Sequence, residues 1–101
     1  IGNYQPKNLV HIVFDNESHE STGGQPTLSK AIDIAGVMRS CNYKQVEVVS
    51  DKASLIGILN TSISGPLGVV IKITSFSRKN LGRPTSTPEE TKTRFMEWID
   101  K

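Results

Sequence analysis

Three apolar runs constrain this chain more than any other feature: LVHIVF at 9–14, QVEVV at 45–49 and LGVVIKI at 67–73. All are short and rich in β-branched residues. The first, broken only by His11, has the pattern of a strand covered on both faces, as in a parallel sheet. Each run is followed by a segment with helical spacing. Thr27 predicts the cap of a helix over about 28–40, with Leu28, Ile32, Ala35 and Met38 on one face and Asn42 as its stop. Ser50 or Asp51 predicts the cap of a second helix over about 52–63, carrying Leu55, Leu59 and Ile63 and ended by Ser64-Gly65-Pro66. Thr87-Pro88-Glu89-Glu90 is a capping box with Pro at the first helical position, and it predicts a third helix over about 88–100 with Phe95, Trp98 and Ile99 turned inward.

Strand and helix thus alternate three times. The fold class that follows is α/β, a three-layer parallel sheet with flanking helices, resembling half of a doubly wound domain. The 101 residues fit one domain. The charge balance, 12 basic against 10 acidic side chains, argues against a nucleic-acid surface. Cys41 is the single cysteine, which precludes an intrachain disulfide or a thiolate zinc cluster and suits a cytoplasmic setting. No apolar run reaches the roughly 18 to 20 residues that span a bilayer, so no membrane partner is expected. The chain opens on Ile1 and reads as a piece of something longer.

In open parallel sheets, ligands gather outside the carboxyl ends of the strands. Here the three runs end in Asp15-Asn16, Ser50-Asp51 and Thr74-Ser75, and the first end leads into the most chemically loaded loop, FDNESHESTGGQPT at 14–27. Gly23 and Gly24 allow positive φ or a close backbone approach, and a helix beginning after Thr27 would turn free N–H groups toward an anion such as a phosphate. The same composition also suits a solvated connection, and composition alone does not separate the two.

The order of residues separates them further. A strand ending in Asp-Asn, then a polar segment, Ser-Thr-Gly-Gly-Gln-Pro-Thr and a helix resembles the second half of a thiamine diphosphate-binding motif. DNESHESTGGQPT together with LGRPTSTPEE resembles phosphonopyruvate decarboxylase, with sulfopyruvate decarboxylase the close alternative. The resemblance covers essentially the whole chain and corresponds to the last part of the cofactor-binding domain. It implies two cofactors, thiamine diphosphate and Mg²⁺. It also implies Asn16 as a side-chain metal ligand and Ser18 as a carbonyl metal ligand, with Asp15, Asn16, Glu17, Ser18, Gly23 and Gly24 forming the cofactor-binding segment. Oxygen ligands of this kind suit Mg²⁺. The substrate implied is a small 2-oxo acid, 3-phosphonopyruvate, and the partners are the remaining domains of a parent enzyme that works as a homo-oligomer.

The family's pattern also requires an acidic metal ligand from a Gly-Asp-Gly segment, and a Glu from another domain that activates the cofactor. Neither lies in the fifteen residues before Asn16, where Gly2 is followed by Asn3, so the chain alone is expected to be inactive. His19 lies where a proton donor or anion contact would serve, as the candidate catalytic residue. His11 reads as a hydrogen-bonded structural residue, Cys41 as a small packing residue, and Phe95 and Trp98 as core. Arg78, Lys79 and Arg83 are either a solvated basic loop or contacts for a phosphonate dianion. A reading of a different class is a non-catalytic α/β module that binds a nucleotide or a partner.

Overall fold

The computed structural model describes all 101 residues. Five strands and three α-helices run in the order β1 (Val10–Asp15), β2 (Ser18–His19), β3 (Gln25–Pro26), α1 (Ile34–Ser40), β4 (Gln45–Val49), α2 (Lys52–Leu59), β5 (Leu67–Lys72) and α3 (Pro88–Ile99). Single 3₁₀ turns at Glu20–Thr22 and Leu28–Lys30 punctuate the loop after β1. The main sheet is parallel throughout, in the order β1-β5-β4, with Val10 opposite Leu67 and Gln45 opposite Leu67 fixing the register. The α/β architecture expected from the three apolar runs is the one observed.

β5 is the central strand, and its sequence shows why. Leu67 and Val69 are completely buried, Val70 and Ile71 nearly so, and only Lys72 at the end emerges. Alternate residues of a strand face opposite ways. On one face Leu67, Val69 and Ile71 pack with Val49, and Val10, Leu55, Ile58 and Ile63 close around them. On the other, Val70 packs with Ala35 and Met38 of α1, bordered by Val13, Ile34, Tyr43 and Val46. Gly68 is small because Met38 and Tyr43 lie over it: a Cβ there would come within 2.6 Å of the Met38 sulfur.

Five expectations need correction. β1 is an edge strand, and its α2-side face is covered at Val10 but not beyond: Ile12 is 37% and Phe14 66% exposed. The helix expected over 28–40 is broken. The Thr27 hydroxyl accepts from Ser29 N, the amides of Ala31 and Ile32 both go to the Leu28 carbonyl, and the chain restarts at Asp33 in extended geometry before α1. Asp is a weak helix former, so it interrupts the 28–40 run; at the start of α1 its side chain makes no capping hydrogen bond and lies over Gly36 instead. Leu28 and Ile32 are exposed in consequence. The second helix ends at Leu59 rather than near 63, and Ile63 reaches the core from the segment beyond it. Its cap is as expected, with Asp51 accepting from Ser54 N at 2.9 Å.

α3 forms with its capping box intact, Thr87 and Glu90 exchanging hydrogen bonds, but Phe95, Trp98 and Ile99 are exposed rather than inward. An amphipathic pattern says that a helix has a face to cover without saying what covers it, and the 73–87 connector carries α3 away from the sheet faces that α1 and α2 occupy. Cys41, finally, is exposed at the end of α1 instead of packed. The reading of His11 holds: its Nδ1 lies 2.7 Å from the Tyr43 hydroxyl at a half-buried position.

Candidate functional site at the end of the first strand

Asp15 and Lys72 are the last residues of β1 and β5 and stand opposite each other in the register. Both side chains fall on the α1 face of the sheet. The Asp15 carboxylate is 5% exposed, and each of its oxygens is engaged: Oδ2 meets Lys72 Nζ at 2.5 Å, and Oδ1 accepts from Glu17 N at 3.1 Å. The hydrogen bond from Lys72 is the main cause holding the Asp15 carboxyl below its ordinary range, reinforced by the Ser29 hydroxyl and the Glu17 amide against the opposing effect of burial. Lys72 is raised by the same contact. Glu17 adds a second layer, 3.6 Å from Lys72 and 3.5 Å from Lys30. Asp15, Glu17, Lys30 and Lys72 therefore form one ionic network at the root of the loop.

Above this root the sequence Asp-Asn-Glu-Ser makes two overlapping turns. Asp15 accepts from the amide two residues on, and Asn16 Oδ1 does the same from Ser18 N at 3.1 Å. Short polar side chains cap backbone amides in this way. Glu17, between them, is held at φ +55, a conformation that costs a non-glycine residue on the order of 1 kcal/mol. The Glu17 carbonyl accepts from Thr27 N at 3.0 Å, which closes the loop back on its own base.

The rest of the loop is a small hairpin. Ser18 pairs with Pro26 and His19 with Gln25 in antiparallel register. Thr27 N bonds the Glu17 carbonyl, so Ser18 and Pro26 form the non-hydrogen-bonded pair, and the missing N–H of Pro26 leaves no gap in the ladder. At the turn Gly23 and Gly24 have φ of +112 and +79, and Gly24 N donates to the His19 carbonyl at 3.0 Å. The expected use of both glycines for positive φ is therefore realised. His19 is exposed, and its ring makes no hydrogen bond.

The structure thus brings Asp15, Asn16, Glu17, Ser18, His19, Gly23 and Gly24 into one loop at the carboxyl end of β1. It separates them into a buried anchor, Asp15, with Glu17 beside it, and a more open row containing Asn16, Ser18 and His19. Lys72 was missed by sequence reasoning although it left a signal: it is the single Lys of the otherwise apolar LGVVIKI, and the buried Asp15 carboxylate at the neighbouring strand end needs a cation beside it. No three His, Cys, Asp or Glu side chains converge to hold a metal, and no helix is long and apolar enough to cross a membrane.

No protein-family model matches the chain. A protein from Streptomyces viridochromogenes named phosphonopyruvate decarboxylase is 41% identical over 101 residues, covering 98% of this chain and 25% of its own length. A protein of the same name from Streptomyces hygroscopicus is 39% identical over 99 residues, covering 94% of this chain and 24% of its own length. The chain spans about a quarter of the length of these curated relatives. Two residues in five shared almost end to end make this chain a homologue of that quarter-length stretch of the phosphonopyruvate decarboxylases.

Proposed function

We propose that this chain is part of a thiamine diphosphate- and Mg²⁺-dependent decarboxylase that converts 3-phosphonopyruvate to phosphonoacetaldehyde and CO₂. Its role there is to supply the second half of the cofactor-binding motif. The observation that carries the reading is the position of Asn16: it follows the last residue of β1 at the carboxyl end of the sheet, with its side chain held by Ser18 N rather than turned into the core. The name shared by both relatives supports the substrate.

The residues present fit the metal. Asn16 Oδ1 accepts one hydrogen bond and retains a second lone pair. Ser18 and Pro26 are a non-hydrogen-bonded pair, flanked by the Thr27 N to Glu17 carbonyl bond, so the Ser18 carbonyl points away from β3 and has an acceptor to offer. A neutral amide and a carbonyl are oxygen donors of the type Mg²⁺ takes alongside phosphate oxygens. Asn16 and Ser18 are the ligands in this reading. Asp15 and Glu17 hold them in place through Lys72 and Lys30, and Gly23 and Gly24 give the loop a backbone that can lie close to the diphosphate. When bound, the thiazolium ring supplies an electron sink for the pair released as CO₂ leaves. The exposed His19 ring, without a hydrogen-bond partner, is the residue of this loop placed to donate or accept a proton or to contact an anion in this reading. The acidic metal ligand and the activating Glu belong to other parts of the parent protein, which works as a homo-oligomer.

The test is calorimetric titration of the whole protein with thiamine diphosphate and Mg²⁺. Asn16→Ala is expected to weaken binding by more than about tenfold, since even partners one step removed from a metal cost that much. Asn16→Asp, which keeps an oxygen for the Ser18 amide, separates ligand loss from loss of the turn. Undiminished affinity in both variants overturns the assignment. Turnover of 3-phosphonopyruvate and of sulfopyruvate, measured side by side, decides the substrate. His19→Asn is expected to alter the pH profile of turnover between pH 5 and 8, and an unchanged profile removes His19 from the chemistry.

A further inference from the structure

The connector after β5 contains an uncompensated positive concavity. A cavity of about 490 Å³ is lined by Ser77, Arg78, Lys79, Leu81, Gly82 and Arg83. The ion pairs of the molecule involve Lys30 and Lys72 with Asp15 and Glu17, so Arg78, Lys79 and Arg83 have no carboxylate partner. Three cations lining one hollow repel each other, and a chain gains nothing in folding from gathering them there. Their arrangement suits an anion brought from outside, because two guanidinium groups offer paired donors to a tetrahedral oxyanion and the ammonium adds a third charge.

The hollow also has a fixed relation to the cofactor loop. β1 and β5 end side by side, and Ile73 N donates to the Asp15 carbonyl at 3.0 Å, so the two loops leave the sheet from adjacent points. Farther out, the Ser77 hydroxyl donates to Glu20 Oε1 at 2.7 Å, fastening the start of the basic segment to the residue after His19. Glu20 is the one carboxylate tied to this segment, and its charge leaves the cations in excess. From this we infer that Arg78, Lys79 and Arg83 bind the phosphonate dianion of the substrate, at the end remote from the carboxylate that leaves. Resting on the function proposed above, this assigns which residues read the phosphonate. It gives the basic segment a specificity role, since a sulfonate carries one negative charge where a phosphonate carries up to two.

The assignment is tested on the ¹⁵N-labelled chain by NMR, with methylphosphonate as the probe and neither thiamine diphosphate nor Mg²⁺ present. Saturable shifts are expected at the amides of residues 77–83 and at the Arg78 and Arg83 Nε–H groups. Loss of one paired charge-assisted contact should weaken binding by about tenfold in Arg78→Gln and in Arg83→Gln. These positions are exposed, so the substitutions leave the sheet core untouched. Methanesulfonate is expected to bind at least several-fold more weakly. Lys92→Gln, which removes one charge from α3, controls for net charge and should leave the affinity within about twofold of the original. Shifts reproduced by chloride at equal ionic strength, equal affinity for methanesulfonate, or equal weakening by Lys92→Gln would each overturn the assignment. Because no cofactor is present, the result is independent of the Asn16 titration: the cofactor reading can fail while methylphosphonate still binds, and the reverse.

Discussion

The same substitution, Gly to Ala, should change stability in opposite directions at Gly24 and Gly57. At Gly24 the backbone has φ +79, and the nearest atom to a built Cβ is Ser18 Oγ at 3.9 Å, an ordinary contact. The cost of Ala there is therefore backbone strain rather than collision, roughly 1–2 kcal/mol for an L-residue forced left-handed. Ala also restricts the unfolded chain, which returns about 0.4–1 kcal/mol to the folded state. A net loss of about 1 kcal/mol remains. Gly57 lies in α2 with nothing within 4 Å of a Cβ, so Ala there should gain about 0.8–1 kcal/mol from helix propensity alone. The two variants should then differ by about 2 kcal/mol, roughly a thirtyfold difference in the ratio of folded to unfolded chain. Urea unfolding followed by far-UV circular dichroism measures this. Fluorescence of Trp98 is a poorer probe because that ring is 71% exposed. If Gly24→Ala unfolds at the same or higher urea concentration than the parent while Gly57→Ala gains stability as expected, the loop does not belong to the cooperative unit. The account of its two glycines then fails.

Leu67→Ala, at a fully buried side chain in the central strand, should cost about 3 kcal/mol in the same assay, whereas Leu28→Ala, at a side chain 74% exposed, should stay within about 0.5 kcal/mol; similar losses at both would contradict the placement of the core. Asp15 has a lowered pKa, so its contribution is present above the unfolded carboxylate value near about 3.9 and is lost as pH falls through the folded value. Lys72 is raised, so its contribution is present below about 10.4 and is lost as pH rises through its folded value. Acid unfolding of Asp15→Asn should therefore be less steep than that of the parent over the range below about pH 4, and parallel curves would show that the pair contributes nothing.

Much of the fold was legible because its signals are local. The three Val/Ile runs, the Asp51 cap and the Thr87–Glu90 capping box are each complete within a few residues, and each appears where those residues place it. What escaped depends on neighbours distant in sequence. LVHIVF and LGVVIKI look alike, yet one is an edge strand and the other the centre of the sheet, because burial on both faces is set by the order β1-β5-β4. Phe95 and Trp98 have helical spacing, but spacing cannot name the surface that covers them. The break at Asp33 is a contest between apolar periodicity and the low helix preference of Asp, and periodicity counted over the thirteen residues 28–40 outweighs one Asp on paper but not in the chain.

The loop at 15–18 shows the same division on the scale of single side chains. Read as a string, Asp15, Asn16, Glu17 and Ser18 are four polar residues of one kind, all candidates for touching a ligand. In the fold their roles alternate. The odd-numbered pair is acidic and is spent on Lys72 and Lys30, cations that lie 57 and 13 positions farther along the chain from Asp15 and Glu17 respectively. The even-numbered pair is neutral and is left with acceptors to spare. In the function proposed above, a neutral pair suits a site whose negative charge comes from a diphosphate, since further carboxylates at the metal would repel that group. An acidic pair suits the root, where the buried Asp15 carboxylate takes Lys72 and the part-exposed Glu17 takes Lys30 and Lys72. Under the proposed function, exchanging the two kinds would place unpaired amides against lysines and carboxylates against phosphate, so the alternation of charge along these four residues would let one short segment both fasten the loop and face an anion.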